Sequence, residues 1–305
     1  MTEAHTEPIV TVNGLTCRFG KKTALDRVSF AIRPGRVFGL VGENGAGKTT
    51  LMKHLLGSLT PQQGSVRVLG IEPTRNPAAL LAKIGYLSED RDLPRWMRIK
   101  ELLRYTQAFY DDWDEAYAER MRQQFRLDAN ARVRNLSRGE LAKAGLLVAL
   151  THRPPVLLLD EPSSGLDAVA RREILAVVVR SVAEEGRTVV FSSHLLDEVE
   201  RVTDDVAMIH KGKLAVLMSM DEIKATHQRR VVQFAKEVVT FPDALGVIHV
   251  EGEGREWAVV SHGDAEATRK ALEALGARIL EESVPSLDAV FVARVTGGRH
   301  ADAVA

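Results

Sequence analysis

The sequence has one cysteine, Cys17, in 305 residues. One thiol cannot close an intrachain disulfide or build a cysteine zinc site, and such usage fits a reducing compartment. Net charge is missing too: 41 Lys and Arg balance 41 Asp and Glu. A chain without surplus positive charge is poorly suited to hold nucleic acid by phosphate attraction, so no nucleic-acid partner is expected. No apolar run approaches the roughly 20 residues needed to span a bilayer. The opening Met1-Thr2-Glu3 lacks the basic and apolar stretches of a secretory signal. Work at a membrane would fall to another chain. Internal repeats and low-complexity tracts are also absent from the sequence. What is present is an ordinary globular composition, 45% hydrophobic and 27% charged. Its length suits one large domain or two unequal ones.

Along the chain, Ile9 to Phe19 alternates as a strand does, and Pro34-Gly35 marks a turn. Val37 to Val41 is a short run of buried-strand type, and Leu51 to Leu56 resumes helical spacing before Gly57. Ser65–Leu69 and Ile84–Leu87 read as strands. Three helical runs follow, Ile99–Tyr110, Glu115–Phe125 and Arg138–Leu150. After Pro154-Pro155 come the strand Val156–Leu159, a helix over Ala168–Ala183, a strand over Thr188–Phe191 and a helix over Leu195–Val202. Strand and helix in alternation predict a parallel α/β sheet. Beyond about Gln228 short alternating strands and one helix (Asp264–Leu275) predict a small α+β appendage over 229–296. Residues 297–305 read as a tail.

The strongest chemical signal is Gly42-Glu43-Asn44-Gly45-Ala46-Gly47-Lys48-Thr49, followed by Thr50. It fits the phosphate-loop pattern, with a strand before it and a helix after. Glycines let backbone N–H groups approach phosphate oxygens. Lys48 would reach the β- and γ-phosphates, and the Thr49 hydroxyl would ligate Mg²⁺. The second signal is Asp160-Glu161 at the carboxyl end of an apolar strand, where α/β sheets bind ligands. Asp160 would hold Mg²⁺ and Glu161 would orient or deprotonate an attacking water. The third is Leu136-Ser137-Arg138-Gly139-Glu140. It is a helix start with a capping box, and also an arrangement that can hold an anion.

The order of these pieces, followed by Ser164-Gly165-Leu166-Asp167 and His194, resembles an ABC-type ATPase over residues 8–226. The resemblance implies a P-loop NTPase fold with an antiparallel β subdomain and a helical subdomain at about 91–150, the α+β appendage coming after it. It implies ATP and Mg²⁺ as cofactors and ATP hydrolysis as the activity. Phe19 falls where the family carries an adenine-stacking aromatic, although it could equally be a core residue of its strand. Ser137 and the Gly139 N–H would contact the γ-phosphate held by a second subunit. Asp167 would lie at that dimer interface, and His194 would contact γ-phosphate and the attacking water.

Two departures matter. Glu89 stands where the family usually has Gln, and it could still meet Mg²⁺ or its water. Arg138 and Glu140 replace the first glycine and the glutamine typical of the signature. Both put turnover in question while leaving ATP binding expected. Trp96, Met97, Tyr105, Phe109, Tyr110 and Trp113 are expected mostly to form the helical subdomain's own core, with exposed members serving a partner. The appendage resembles the extension of some bacterial exporter ATPases, and Ser286–Phe291 looks like a short closing helix. The resemblance implies the ATP-driven subunit of an exporter. It would pair with a second such subunit and a separate permease, peripheral at the cytoplasmic membrane face. Two alternatives stay open: a soluble ABC-type ATPase on a macromolecular machine, and a nucleotide-gated regulator.

Overall fold

A hairpin of β1 (Val10–Phe19) and β2 (Lys22–Ile32) turns at Gly20, whose φ of 57° suits a residue without a β-carbon. The computed structural model describes residues 7–111 and 113–296; the expected tail at 297–305 lies outside them. Next come the wholly buried β3 (Val37–Val41), α1 (Lys48–Leu55) and β4 (Gln63–Val68). Strand β4 pairs with β1, giving an antiparallel sheet in the order β2-β1-β4. The short α2 (Pro77–Leu81) leads to β5 (Ile84–Leu87).

Three helices follow, α3 (Ile99–Gln107), α4 (Glu115–Gln124) and α5 (Arg138–Leu150). Asp114 caps α4 and Ser137 caps α5, each accepting a backbone N–H of the first turn. The chain then alternates through β6 (Val156–Asp160), α6 (Ala168–Ala183), β7 (Thr188–Ser193), α7 (Leu196–Val202), β8 (Asp205–His210) and β9 (Lys213–Ser219).

The main sheet has the order β5-β6-β7-β3-β8-β9 and is parallel from β5 through β8. Its central strands β6, β7 and β3 are buried along their whole length, as a parallel sheet covered on both faces requires. Leu40, Leu51, Leu55, Leu158 and Ile209 are fully buried in its core, each burial worth about 1.5–3 kcal/mol. Because β6, β7 and β3 are neighbours, the residues leaving their carboxyl ends are gathered at one place. Asp160 lies beside Ser192, and Val41 beside Ser193.

The chain forms two compact units, one through Leu214 and one from Ala215. The second holds α8 (Met220–Thr226), β10 (His227–Phe234), β11 (Val247–Glu253), β12 (Glu256–His262), α9 (Ala265–Ala274), β13 (Ala277–Ser283) and α10 (Leu287–Thr296). Its antiparallel sheet runs β11-β12-β10-β13 over a separate core built on Val232, Val259, Trp257 and Leu272.

Three findings depart from the sequence reading. Strands β2, β8 and β9 fall where the pattern assigned no element. In β2 the alternation breaks at Asp26-Arg27, where Arg27 takes φ 51° and the pairing with β1 is irregular. Trp96, Tyr105 and Phe109 are exposed, so three of the six residues expected in the helical subdomain's core face outward; of the rest, Tyr110 stacks on His152. The closing helix α10 extends five residues beyond Phe291, to Thr296.

Candidate active site

Local sequence sets the shape of the phosphate loop. Gly47 caps α1 with φ 119°, and a β-carbon there would stand 2.5 Å from the Ala24 carbonyl oxygen. Only glycine fits, and it leaves the first turn of α1 without a side-chain cap. Free N–H groups and the positive end of the helix therefore face an open cleft of about 350 Å³. Lys48 is buried, and its Nζ donates to the Gly42 carbonyl at 2.6 Å.

The acidic pair meets this loop from β6. Glu161 has φ 48°, a left-handed conformation rare for a residue with a β-carbon. Its Oε1 lies 3.2 Å from Lys48 Nζ, and its Oε2 is 2.7 Å from His194 Nδ1. With the carboxylate ionised, the imidazole donates from Nδ1 and leaves Nε2 free to face a ligand. The Ser192 hydroxyl donates to Asp160 Oδ1 at 2.6 Å and accepts from Glu161 N at 2.9 Å. Burial raises the Asp160 carboxyl above its ordinary range, against the hydroxyls of Ser192 and Thr49, which favour the ionised form.

Of the expected site residues, Phe19, Asn44, Gly45, Gly47, Lys48, Thr49, Thr50, Glu89 and Glu161 line the cleft. Asp160 and His194 adjoin Glu161 through the contacts above, and Gly42 and Ala46 form the buried floor of the loop. Glu43 is exposed at the loop's surface. Phe19 is 52% exposed and lines the cleft, so it does not sit in the core of its strand.

Ser137 and Gly139 do not join this cleft. Ser137 is exposed, and its Oγ donates to Glu140 Oε2 at 2.8 Å within the capping box of α5. Asp167 is exposed as well and caps α6, accepting from the Val169 and Ala170 N–H groups. The sequence reading missed Lys22, which lines the cleft beside Phe19; its Nζ stands 3.8 Å from the β-carbon position at Gly45. The signal was the two-residue turn that pairs Phe19 with Lys22, invisible while β2 was unassigned.

Does the donor set fit a divalent metal? Asp160 Oδ2 is buried without a hydrogen-bond partner, so it keeps a bonding direction that a cation can satisfy. Among the described residues no group of three or more His, Cys, Asp or Glu is placed to cage a metal ion. That suits Mg²⁺, which takes one or two protein ligands and completes its shell with water and substrate phosphates.

The ABC transporter family model matches residues 25–164. An uncharacterized ABC transporter ATP-binding protein of Methanocaldococcus jannaschii is 33% identical over 222 residues, 71% of this chain and 80% of its own length. The ABC transporter ATP-binding protein YtrB of Bacillus subtilis is 26% identical over 90% of this chain and 94% of its own. A solved structure described as an ATP binding subunit of an ABC transporter superposes with a TM-score of 0.65 at 27% identity, covering 71% of this chain and 92% of that one. Its sequence and fold place this chain in the family of ABC transporter ATP-binding proteins.

Proposed function

We propose that the chain hydrolyses ATP to drive an exporter, pairing with a second such subunit and working on a separate permease. The observation that carries this reading is the mutual engagement of Lys48, Glu161 and His194. Lys48 divides its donors between the Gly42 carbonyl and Glu161. An incoming γ-phosphate competes for Lys48 and releases Glu161, which then accepts a proton from the attacking water. His194 orients Glu161 through Nδ1 and presents Nε2 toward the γ-phosphate. Mg²⁺, when bound by Thr49 and Asp160 with Glu89 near it, would neutralise charge on the β- and γ-phosphates. Phe19 offers adenine a flat face.

Ser137 and Gly139 are not among the residues lining this cleft, which fits a role in a second subunit's site. Two copies would then bury two nucleotides between them, with Asp167 at the same interface. Closure is favoured because ATP binds the closed pair more tightly than the open one. Exposed Trp96 (69%), Tyr105 and Phe109 supply an apolar surface of the kind a membrane partner uses. No helix among the described residues is long and apolar enough to cross a membrane. The YtrB alignment spans 90% of this chain and so reaches past the ATPase unit into the appendage, which supports a like extension in that relative.

One observation favours a second reading, slow turnover with ATP acting as a gate. Glu140 draws the Ser137 hydroxyl to its own carboxylate and sets negative charge where a phosphate would come.

The test is Mg²⁺-dependent ATP turnover of the purified chain, wild type beside Glu161→Gln, with particle size followed by light scattering. Turnover in wild type, lost in the variant together with an ATP-dependent doubling of mass, is expected. Normal turnover in Glu161→Gln removes Glu161 from the reaction. ATP-driven doubling without turnover in either chain selects the gate.

A further inference from the structure

We infer that Arg91 is a positioning residue that ties the turn carrying Glu89 to the backbone that follows Glu161. The inference rests on the hydrolytic reading above and adds a residue that the sequence motifs do not contain.

The turn Ser88–Arg91 is closed by the Arg91 N–H donating to the Ser88 carbonyl at 3.1 Å. Within it Glu89 lines the nucleotide cleft. Arg91 takes φ 51°, the left-handed region that a β-carbon disfavours. Its Nη2 donates to the Ser164 carbonyl at 2.7 Å and to the Pro162 carbonyl at 3.2 Å. Its Nε is buried and has no partner. Burial makes the charged form costly here, with Glu89 favouring it and Arg138 opposing it. A half-buried guanidinium spent on two carbonyls yields little stability for its desolvation, so its worth lies in geometry.

That geometry reaches Glu161 in one step. Ser164 is held at both of its backbone groups: its C=O accepts from Arg91, and its N–H donates to the Glu161 carbonyl at 3.1 Å. The same segment is held by a second charged side chain. The Ser163 hydroxyl donates to Glu198 of α7, and Glu198 also pairs with Arg171 of α6 at 2.9 Å. Helix α7 begins two residues after His194. The loop 162–164 is therefore held by two charged side chains, one in the turn that carries Glu89 and the other on the helix that follows His194. With the loop fixed, Glu161 keeps its left-handed backbone and its aim at the water. A displacement at Glu89 passes through Arg91 to Glu161 instead of being absorbed by a slack loop.

The experiment measures steady-state ATP turnover and binding of a non-hydrolysable ATP analogue for wild type, Arg91→Ala, Arg91→Lys, Glu89→Gln and the Arg91→Ala/Glu89→Gln pair. Loss of charged hydrogen bonds predicts a fall in kcat of about 10- to 100-fold in Arg91→Ala, with analogue affinity and KM within about threefold of wild type. Arg91→Lys, which keeps a cation on a shorter stem, recovers part of kcat. The effect of Glu89→Gln on kcat should shrink when Arg91 is already Ala, because the link between them is gone. A merely structural residue would lower Tm, analogue binding and kcat together and leave the two substitutions additive; that result overturns the inference. Wild-type kcat in Arg91→Ala overturns it too. Absence of turnover in wild type removes the hydrolytic reading, and this inference with it.

Discussion

Both units of the molecule bury charge, yet they dispose of it differently. In the first unit Lys48, Asp160 and Glu161 are nine-tenths or more buried at the carboxyl ends of parallel strands, and Asp160 Oδ2 has no donor. In the second unit Arg230 of β10 is 1% exposed. It donates to the Ser261 hydroxyl at 3.1 Å, the Ala265 carbonyl at 2.8 Å and Glu282 at 2.7 Å, leaving only Nε unpartnered. Those partners come from β12, α9 and β13, so one guanidinium knits three elements. A buried charge points to chemistry where part of its bonding capacity is left open to a cleft. Where its partners are supplied by its own fold, the same burial points to architecture.

The sharpest way to break this comparison is one substitution made at both places. Lys48→Met removes the cation proposed to meet the phosphates. ATP affinity should fall by about 100-fold or more, as when a buried charge partner is truncated, and turnover should be lost. Arg230→Met should leave ATP affinity within about twofold of wild type and cost the second unit about 1–3 kcal/mol. That cost is held down because Glu282 keeps Arg269 as a partner. Isothermal titration gives the affinities, and hydrogen exchange resolved by unit gives the stabilities. An ATP defect in Arg230→Met as large as that in Lys48→Met would end the distinction.

The same contrast explains what the sequence could and could not disclose. Gly42–Thr49 is contiguous, and its chemistry follows from spacing; the strand ending in Asp160-Glu161 is almost as plain. The meeting of Lys48, Glu161 and His194 depends on β3, β7 and β6 being neighbours, a long-range pairing that no local pattern carries. Lys22 was missed for a related reason. It enters the cleft by pairing with Phe19, and β2 hides its alternation at the Asp26-Arg27 irregularity. In the second unit periodicity was enough to expect short alternating strands and the helix realised as α9, but the strand order β11-β12-β10-β13 is again a matter of pairing. Capping chemistry was the most legible of all: Ser137 with Glu140 forms the reciprocal box that the spacing predicts.

Within the first unit the proposed site has a phosphate end at Lys48 and a base end at Phe19. Phe19 is half exposed and would hold adenine by surface contact alone, whereas Lys48 is buried among fixed partners. Phe19→Ala should therefore weaken ATP about tenfold, in keeping with the roughly 1–3 kcal/mol lost when an aromatic no longer stacks on a base. Binding of inorganic triphosphate, which has no base, should stay as in wild type. Equal losses for both ligands would mean that Phe19 shapes the loop instead of meeting adenine.

The smallest effect tests whether the two units also differ in their response to acid. Each contains a buried histidine pushed down to about 4, His152 in the first and His227 in the second. Burial is the main cause for both; Arg187 adds to it at His152, and Arg294 and His262 add to it at His227. Both rings are neutral when folded and take up protons more readily when unfolded. Between the ordinary value of 6.5 and about 4 the unfolded chain binds more protons, so stability rises with pH there. The contribution is complete above 6.5 and is lost as pH falls toward 4. His152→Phe keeps a ring to stack on Tyr110, which lies 3.8 Å from the imidazole, while giving up the hydrogen bond to the Ile84 carbonyl. At pH 7 it should cost about 1 kcal/mol for that bond. Between pH 6.5 and 5 the first unit should then lose less stability than in wild type, with the second unit's acid limb unchanged because His227 still titrates. Unit-resolved hydrogen exchange at the two pH values reads both slopes. An unchanged slope in the first unit would show that its acid response does not run through His152, and flattening of both would show that the units do not titrate independently.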